Sequence, residues 1–317
     1  MTMGMGTWAT KSAATVVVST DGTGDTNDIQ TGINLLPADG GVVYIREGTY
    51  TITQGIVIDR DNVALIGAGA STRIETLEPN IDIISANNRN ALLIKNLYLY
   101  GNQLAAACSG ITLGNTTNSI ISECWLERFS ANSIGVLGQG IFIRNSIVFD
   151  NTTSSGIYMN GTSCSISGCD VYDCAVNIEI ENGDDCSVTN NSSHDANIFG
   201  LWVRTSDRVR IVNNHSYENI GHGIFLVVSD DCIISNNVCK DNDVTNTASF
   251  DGIVIDTCDN CIVSGNRCQD NDRYEINISD VASNDNLVLG NICLGADHVG
   301  TINDAGTNTR IAHNIEA

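Results

Sequence analysis

Four residues supply the groups that acid–base chemistry needs. Arg204 brings a guanidinium, His222 an imidazole, and Glu179 and Asp251 carboxylates. Each sits in or beside a recurring phrase, Gly-apolar-x-apolar, seen at Gly156, Gly200, Gly223 and Gly252. If the phrase is a strand, x points away from the core. Across successive copies x is Tyr158, Glu179, Trp202, Phe225, Val254 and Asn277. Two residues on lie Asn160, Glu181, Arg204, Val227, Asp256 and Ser279, and ahead of the phrase lie His222, Asp251 and Tyr274. Arginine can hold a sugar carboxylate bidentately, and an imidazole or carboxyl group can move a proton. Exposed rings are platforms for sugars. The expected catalytic set is therefore His222, Asp251, Arg204 and Glu179. The expected binding set is Tyr158, Glu181, Trp202, Phe225 and Tyr274. The competing reading makes the rings packing surface. It also makes Arg204–Glu181 a cross-rung ion pair worth under about 1 kcal/mol if exposed.

A second outward row reads Tyr172, His194, Tyr217, Lys240. Beside it run Asp173, Asp195, Glu218 and Asp241, continued by Asp270. Like charges stacked at one-rung spacing repel, and bound Ca2+ would relieve them. The alternative is solvated turn carboxylates held by backbone amides.

These rows require an element that repeats. Aligned on the end of the second short strand, the phrase recurs at 124, 145, 169, 191, 214, 237, 266, 291 and 314. Strand-turn-strand content at a period near 23 residues predicts an all-β fold, a right-handed parallel β-helix of about ten rungs from about residue 40. Asn145, Asn191, Asn214, Asn237, Asn266, Asn291 and Asn314 then stack into an amide ladder. Two positions later an inward row reads Ile147, Val171, Ser193, Ser216, Cys239, Cys268, Cys293, Ile315. The twelve cysteines follow the repeat, which favours buried reduced thiols over disulfides.

The front end reads differently. Residues 1–24 are expected to be a lead segment and 25–317 the β-helix domain. Asp28 offers an N-cap, and Ile29, Ile33 and Leu36 follow at helical spacing, so a capping helix is expected at about 27–36. The run Asp28-Ile29-Gln30 to Leu36, then Gly40-Gly41-Val42-Val43-Tyr44-Ile45 and Glu47-Gly48-Thr49-Tyr50, resembles the entry of the pectate-lyase-like β-helix superfamily. That resemblance implies a fold shared by lyases, glycoside hydrolases, uronate epimerases and noncatalytic phage fibres. Tailspike-like members imply a homo-oligomer, a trimer by analogy. Gly221-His222-Gly223 and Gly183-Asp184-Asp185-Cys186 are similar to elements of polygalacturonase-type hydrolases, though Asp230-Asp231-Cys232 refills the second slot.

Composition narrows the partners. The net charge of −22 and three lysines argue against nucleic acid and anionic membranes. The longest apolar run, Ile224 to Val228, is far too short to span a bilayer. The first residues lack a basic, apolar leader. The resulting expectation is a protein that engages an extracellular, uronate-containing polysaccharide, as a lyase or hydrolase, in an extracellular or virion-associated setting. The alternative is a noncatalytic structural β-helix such as a phage tail or surface fibre.

Overall fold

The computed structural model describes residues 14–101, 107–245, 247–295 and 299–317. Short strands pair in parallel with their equivalents one turn along the chain. One sheet of 13 strands runs from Thr15–Val18 to Arg310–Ala312, one strand per turn. The remaining strands form a second sheet of 21, in which two series share rungs. The long strands Ile147–Thr162 and Asp170–Glu181 carry both series at once. The protein is thus an all-β parallel β-helix with about 13 turns rather than ten. The difference arises at the start. Thr15–Val18, inside the segment expected to be a lead, pairs with Gly41–Ile45 as the first rung. Residues 1–13 of that segment lie outside the described residues.

Alternation explains each rung. In the three-residue strands of the 13-stranded sheet the middle residue points inward, as Ile94, Ile121, Ile143, Ile166 and Val188 do, all fully buried, and only the last, Ile311, is exposed. Each buried aliphatic side chain contributes about 1.5–3 kcal/mol. Corners are made by left-handed residues: Asn190, Asn213 and Asn236 all have φ near +57°, a conformation Asn tolerates and most residues do not. The next residue begins the ladder. The Nδ2 of Asn191, Asn214, Asn237 and Asn266 each donate to Oδ1 of the next member at 3.0 Å, and Asn291 donates to Asn314 at 3.1 Å.

Three positions lie one residue away from their expected place. Asn145 is a left-handed corner (φ 50°), and the ladder position there belongs to Ser146. Val148, not Ile147, pairs with inward Val171, and Ile315 is 58% exposed while Glu316 is the partner of Cys293. Helix Ile29–Asn34 is shorter than expected. Asp28 Oδ1 accepts from the Thr31 N–H at 2.7 Å, and Ile29 and Ile33 are buried against the first rungs. All twelve cysteines are free and buried.

Candidate functional site

Strand register brings the outward row together as expected. Tyr158, Glu179, Trp202, Phe225, Val254 and Asn277 are successive partners, as are Asn160, Glu181, Arg204, Val227 and Asp256. Within this face the side chains form two groups.

The first is built on Arg204. Its Nη2 lies 2.8 Å from Glu179 Oε1 and its Nη1 2.9 Å from Glu181 Oε1. Ser155 donates to the other oxygen of Glu179 at 2.5 Å, and the Tyr158 hydroxyl to the other oxygen of Glu181 at 2.6 Å. The guanidinium also sits 4.6 Å above the Trp202 ring. The cross-rung ion pair therefore exists and is doubled, so the charge of Arg204 is already met by two glutamates. Trp202 and Phe225 are parallel within 2° at 6.4 Å. A separation of 6.4 Å between parallel rings exceeds the spacing of one rung, so the two are offset from one another. Trp202 Nε1 is a buried donor without a partner among the described residues.

The second group is built on Asp251, which has no exposure. Arg273 grips it through Nε to Oδ1 at 2.7 Å and Nη2 to Oδ2. The Tyr274 N–H donates to Oδ1 at 3.0 Å and Asn277 Nδ2 to Oδ2 at 2.9 Å. Four donors fill the four acceptor positions of a carboxylate. His222 accepts the Asp251 N–H on Nδ1 at 2.9 Å. It stacks on Phe199 at 5.3 Å and meets the edge of Phe250 at 5.0 Å. Burial pushes its pKa down from 6.5 to about 4, with the Asp251 charge opposing. The row also departs from its expected outward exposure here: Val254 and Asn277 are each only 2% exposed. Asn277 is drawn into the hydrogen bonds of Asp251.

Arg273, Phe199, Phe250 and Ser155 were missed from the sequence. Phe199 was detectable, because it precedes Gly200 as His222 precedes Gly223. Arg273 and Phe250 stand outside the phrase and carried no signal.

The second outward row is an aromatic stack. Phe149, Tyr172, His194 and Tyr217 follow one another at 5.2, 4.9 and 4.7 Å. The acidic column beside it occupies left-handed corners at Asp173, Asp195, Glu218 and Asp241, with φ of 51–54°. Burial raises the Asp173 pKa, and Asp195 and Asp150 add to it. Asp195 is 2.7 Å from His194 Nδ1, and Asp241 is 2.7 Å from Lys240 Nζ. An imidazole nitrogen lies against the first and an ammonium against the second. Asp184 is likewise a turn device: it accepts the Asp207 N–H, as Asp207 accepts from Asp230 and Asp230 from Asp259, at 2.9, 2.9 and 2.7 Å.

With this geometry in place, the comparisons can be set beside it. A family model described as "Periplasmic copper-binding protein (NosD)" matches residues 138–315, more than half of the chain. The chain belongs to the NosD family. No curated protein matches the sequence. Among solved structures, the A-module of a mannuronan C-5 epimerase from Azotobacter vinelandii is similar at TM-score 0.69 and 17% identity, over 92% of this chain and 95% of that one. The Dettilon tailspike protein is similar at TM-score 0.70 and 16% identity, over 94% of this chain and 68% of that one. A periplasmic alginate epimerase gives TM-score 0.52 and 14% identity, over 87% and 77%. These likenesses show a shared parallel β-helix fold.

The family description raises copper. Among the described residues no three His, Cys, Asp or Glu side chains converge to hold a metal ion. The cysteines are buried in the coil, where desolvation pushes thiols such as Cys174 and Cys293 up to about 12 and keeps them protonated. Among the described residues no set of side chains fits copper. The acidic column does not converge on a Ca2+ site either.

Proposed function

We propose that this member of the NosD family engages a polysaccharide along the face carrying Tyr158, Glu179, Glu181, Trp202, Arg204 and Phe225. One observation carries the reading. Arg204 lies against Trp202 while holding Glu179 and Glu181 in fixed positions on the next rung. That is a preformed array of carboxylate acceptors beside aromatic rings on a regular surface, and a regular polymer can lie along it. The structural relatives support the reading, since they include mannuronan and alginate epimerases and a tailspike. The periplasmic family and the tailspike and periplasmic epimerase relatives support an extracellular, periplasmic or virion-associated location. A homo-oligomer, trimeric as in tailspike-like proteins, belongs to the proposal, and sedimentation at several concentrations tests it.

The face is better arranged for binding than for proton transfer. Asp251 has its acceptor positions filled, and the ring of His222 accepts on Nδ1, which leaves the proton on Nε2. Neither offers a free lone pair. A lyase or hydrolase activity on this face would have to begin at Glu179 or Glu181. A screen of polysaccharides for binding, for unsaturated ends by ultraviolet absorbance and for new reducing ends tests the reading. Binding lost in Trp202→Ala at unchanged fold supports it, and no binding to any glycan overturns it.

The second reading, a noncatalytic structural β-helix such as a phage tail or surface fibre, is favoured by the burial of Val254 and Asn277 at 2% each, which makes that end of the row packing rather than contact surface.

A further inference from the structure

Resting on the glycan-binding reading above, we infer that the polymer this face accepts is built from sugars without acidic groups: neutral sugars or amino sugars, not uronates. The inference comes from how the cations of the face are used. Among its described residues the guanidiniums are those of Arg204 and Arg273. Arg204 is shared between Glu179 and Glu181, and Arg273 is closed on Asp251. Asp256 adds a further carboxylate on the row of Arg204. His222 accepts a backbone N–H on Nδ1, and that hydrogen bond goes with the neutral ring. Lys240 lies on the other strip with its ammonium on Asp241. Two guanidiniums thus face four carboxylates.

Three of the five N–H donors of Arg204 are on its two glutamates, so a uronate either meets a guanidinium whose charge is already matched twice or displaces a glutamate. Glu179 is 7% exposed, and removing its guanidinium would leave a buried charge unpaired. The remaining carboxylates would repel every further acidic unit of the chain. Hydroxyl and ammonium groups meet the opposite situation. Carboxylates accept from them in charge-assisted hydrogen bonds, and the Glu181 side chain is 24% exposed.

Binding of the intact protein to a neutral β-glucan, chitosan, alginate and polygalacturonate, at low and at high salt, tests this. The neutral or amino polymer is expected to bind at least about tenfold more tightly than either polyuronate at low salt, with the gap narrowing as salt screens the repulsion. Comparing the glucan with chitosan separates the neutral from the amino source. Glu181→Gln is expected to raise polyuronate binding several-fold while its hydrogen bond from Tyr158 survives. Alginate or polygalacturonate binding as tightly as the other polymers, or more tightly, overturns the inference and leaves the glycan-binding face standing. Binding of none of the four overturns both.

Discussion

The backbone N–H of Asp251 donates to Nδ1 of His222 across 2.9 Å, one rung apart. Because that nitrogen accepts, the ring carries its proton on Nε2 and is neutral. Phe199, Phe225 and Phe250 surround it at ring distances of 5.0–5.3 Å. An imidazole placed among rings cannot gain a proton without losing both the hydrogen bond and its hydrophobic fit.

His222 is therefore expected to titrate near pH 4 in the folded protein, against an ordinary value of 6.5. The folded-state value is depressed, so the unfolded chain takes up the proton first as pH falls. The contribution of this residue is complete above about 6.5 and is lost as pH drops through about 4. The shift corresponds to roughly 3 kcal/mol. Nuclear magnetic resonance of the ring carbons gives the pKa directly. A His222 midpoint near 6.5 would refute the account.

Glu275 works in the opposite direction. It has no exposure and closes the short ladder Asn219, Asn242, Asn271, whose amides are joined at 2.8 Å. Burial raises its pKa from 4.5 to about 8; the Asn271 hydrogen bonds oppose the shift and the Asp270 charge adds to it. A raised folded-state value means stability that is full below about 4.5 and is lost as pH rises through about 8. Glu275→Gln keeps the acceptor and removes the ionisation. It is expected to raise the melting temperature at pH 9 and to leave it nearly unchanged at pH 4. The difference between the two conditions should be roughly 4 kcal/mol. Equal effects at both pH values would count against a protonated Glu275.

Thiol chemistry supplies an independent check on the interior. The twelve cysteines are free and buried, several with pKa values pushed up to about 11 or 12 by desolvation. A disulfide-exchange reagent should label few of them in the native protein and all twelve after denaturation without reductant. Fewer than twelve after denaturation would indicate disulfides.

Much of this architecture was legible because a parallel β-helix writes its period into the chain. Every rung needs an inward apolar residue, a left-handed corner and a hydrogen-bonding turn, so the same types recur. The misreadings arose where one residue type suits two adjacent positions. Asn serves both the corner, as at Asn145, and the ladder, as at Asn191, so alignment by type alone slips by one. The site was legible in its rows and not in its bonds. That Arg204 would bridge Glu179 and Glu181 follows from side-chain reach across rungs, whereas Arg273 comes from a turn with no counterpart in the phrase.

The asparagine ladder should be strongest in its middle. Asn237 Oδ1 accepts from both the backbone N–H and the Nδ2 of Asn214, at 2.8 and 3.0 Å. Its own Nδ2 lies 2.9 Å from the Ile211 carbonyl and 3.0 Å from Asn266 Oδ1. Asn237 is 1% exposed, so no water replaces these partners if the side chain is removed. Asn237→Ala would strand the Asn214 N–H and the Ile211 carbonyl, each costing about 1–3 kcal/mol. Asn314 has the same bonds on one side only, donating to the Val288 carbonyl at 3.1 Å and accepting from Asn291, and it is partly exposed. Water can stand in for part of what Asn314→Ala removes. Urea unfolding is expected to show a loss of about 3 kcal/mol or more for Asn237→Ala and about 1 kcal/mol for Asn314→Ala. Equal losses at the two positions would mean that the ladder contributes through turn conformation alone, with no added weight from burial.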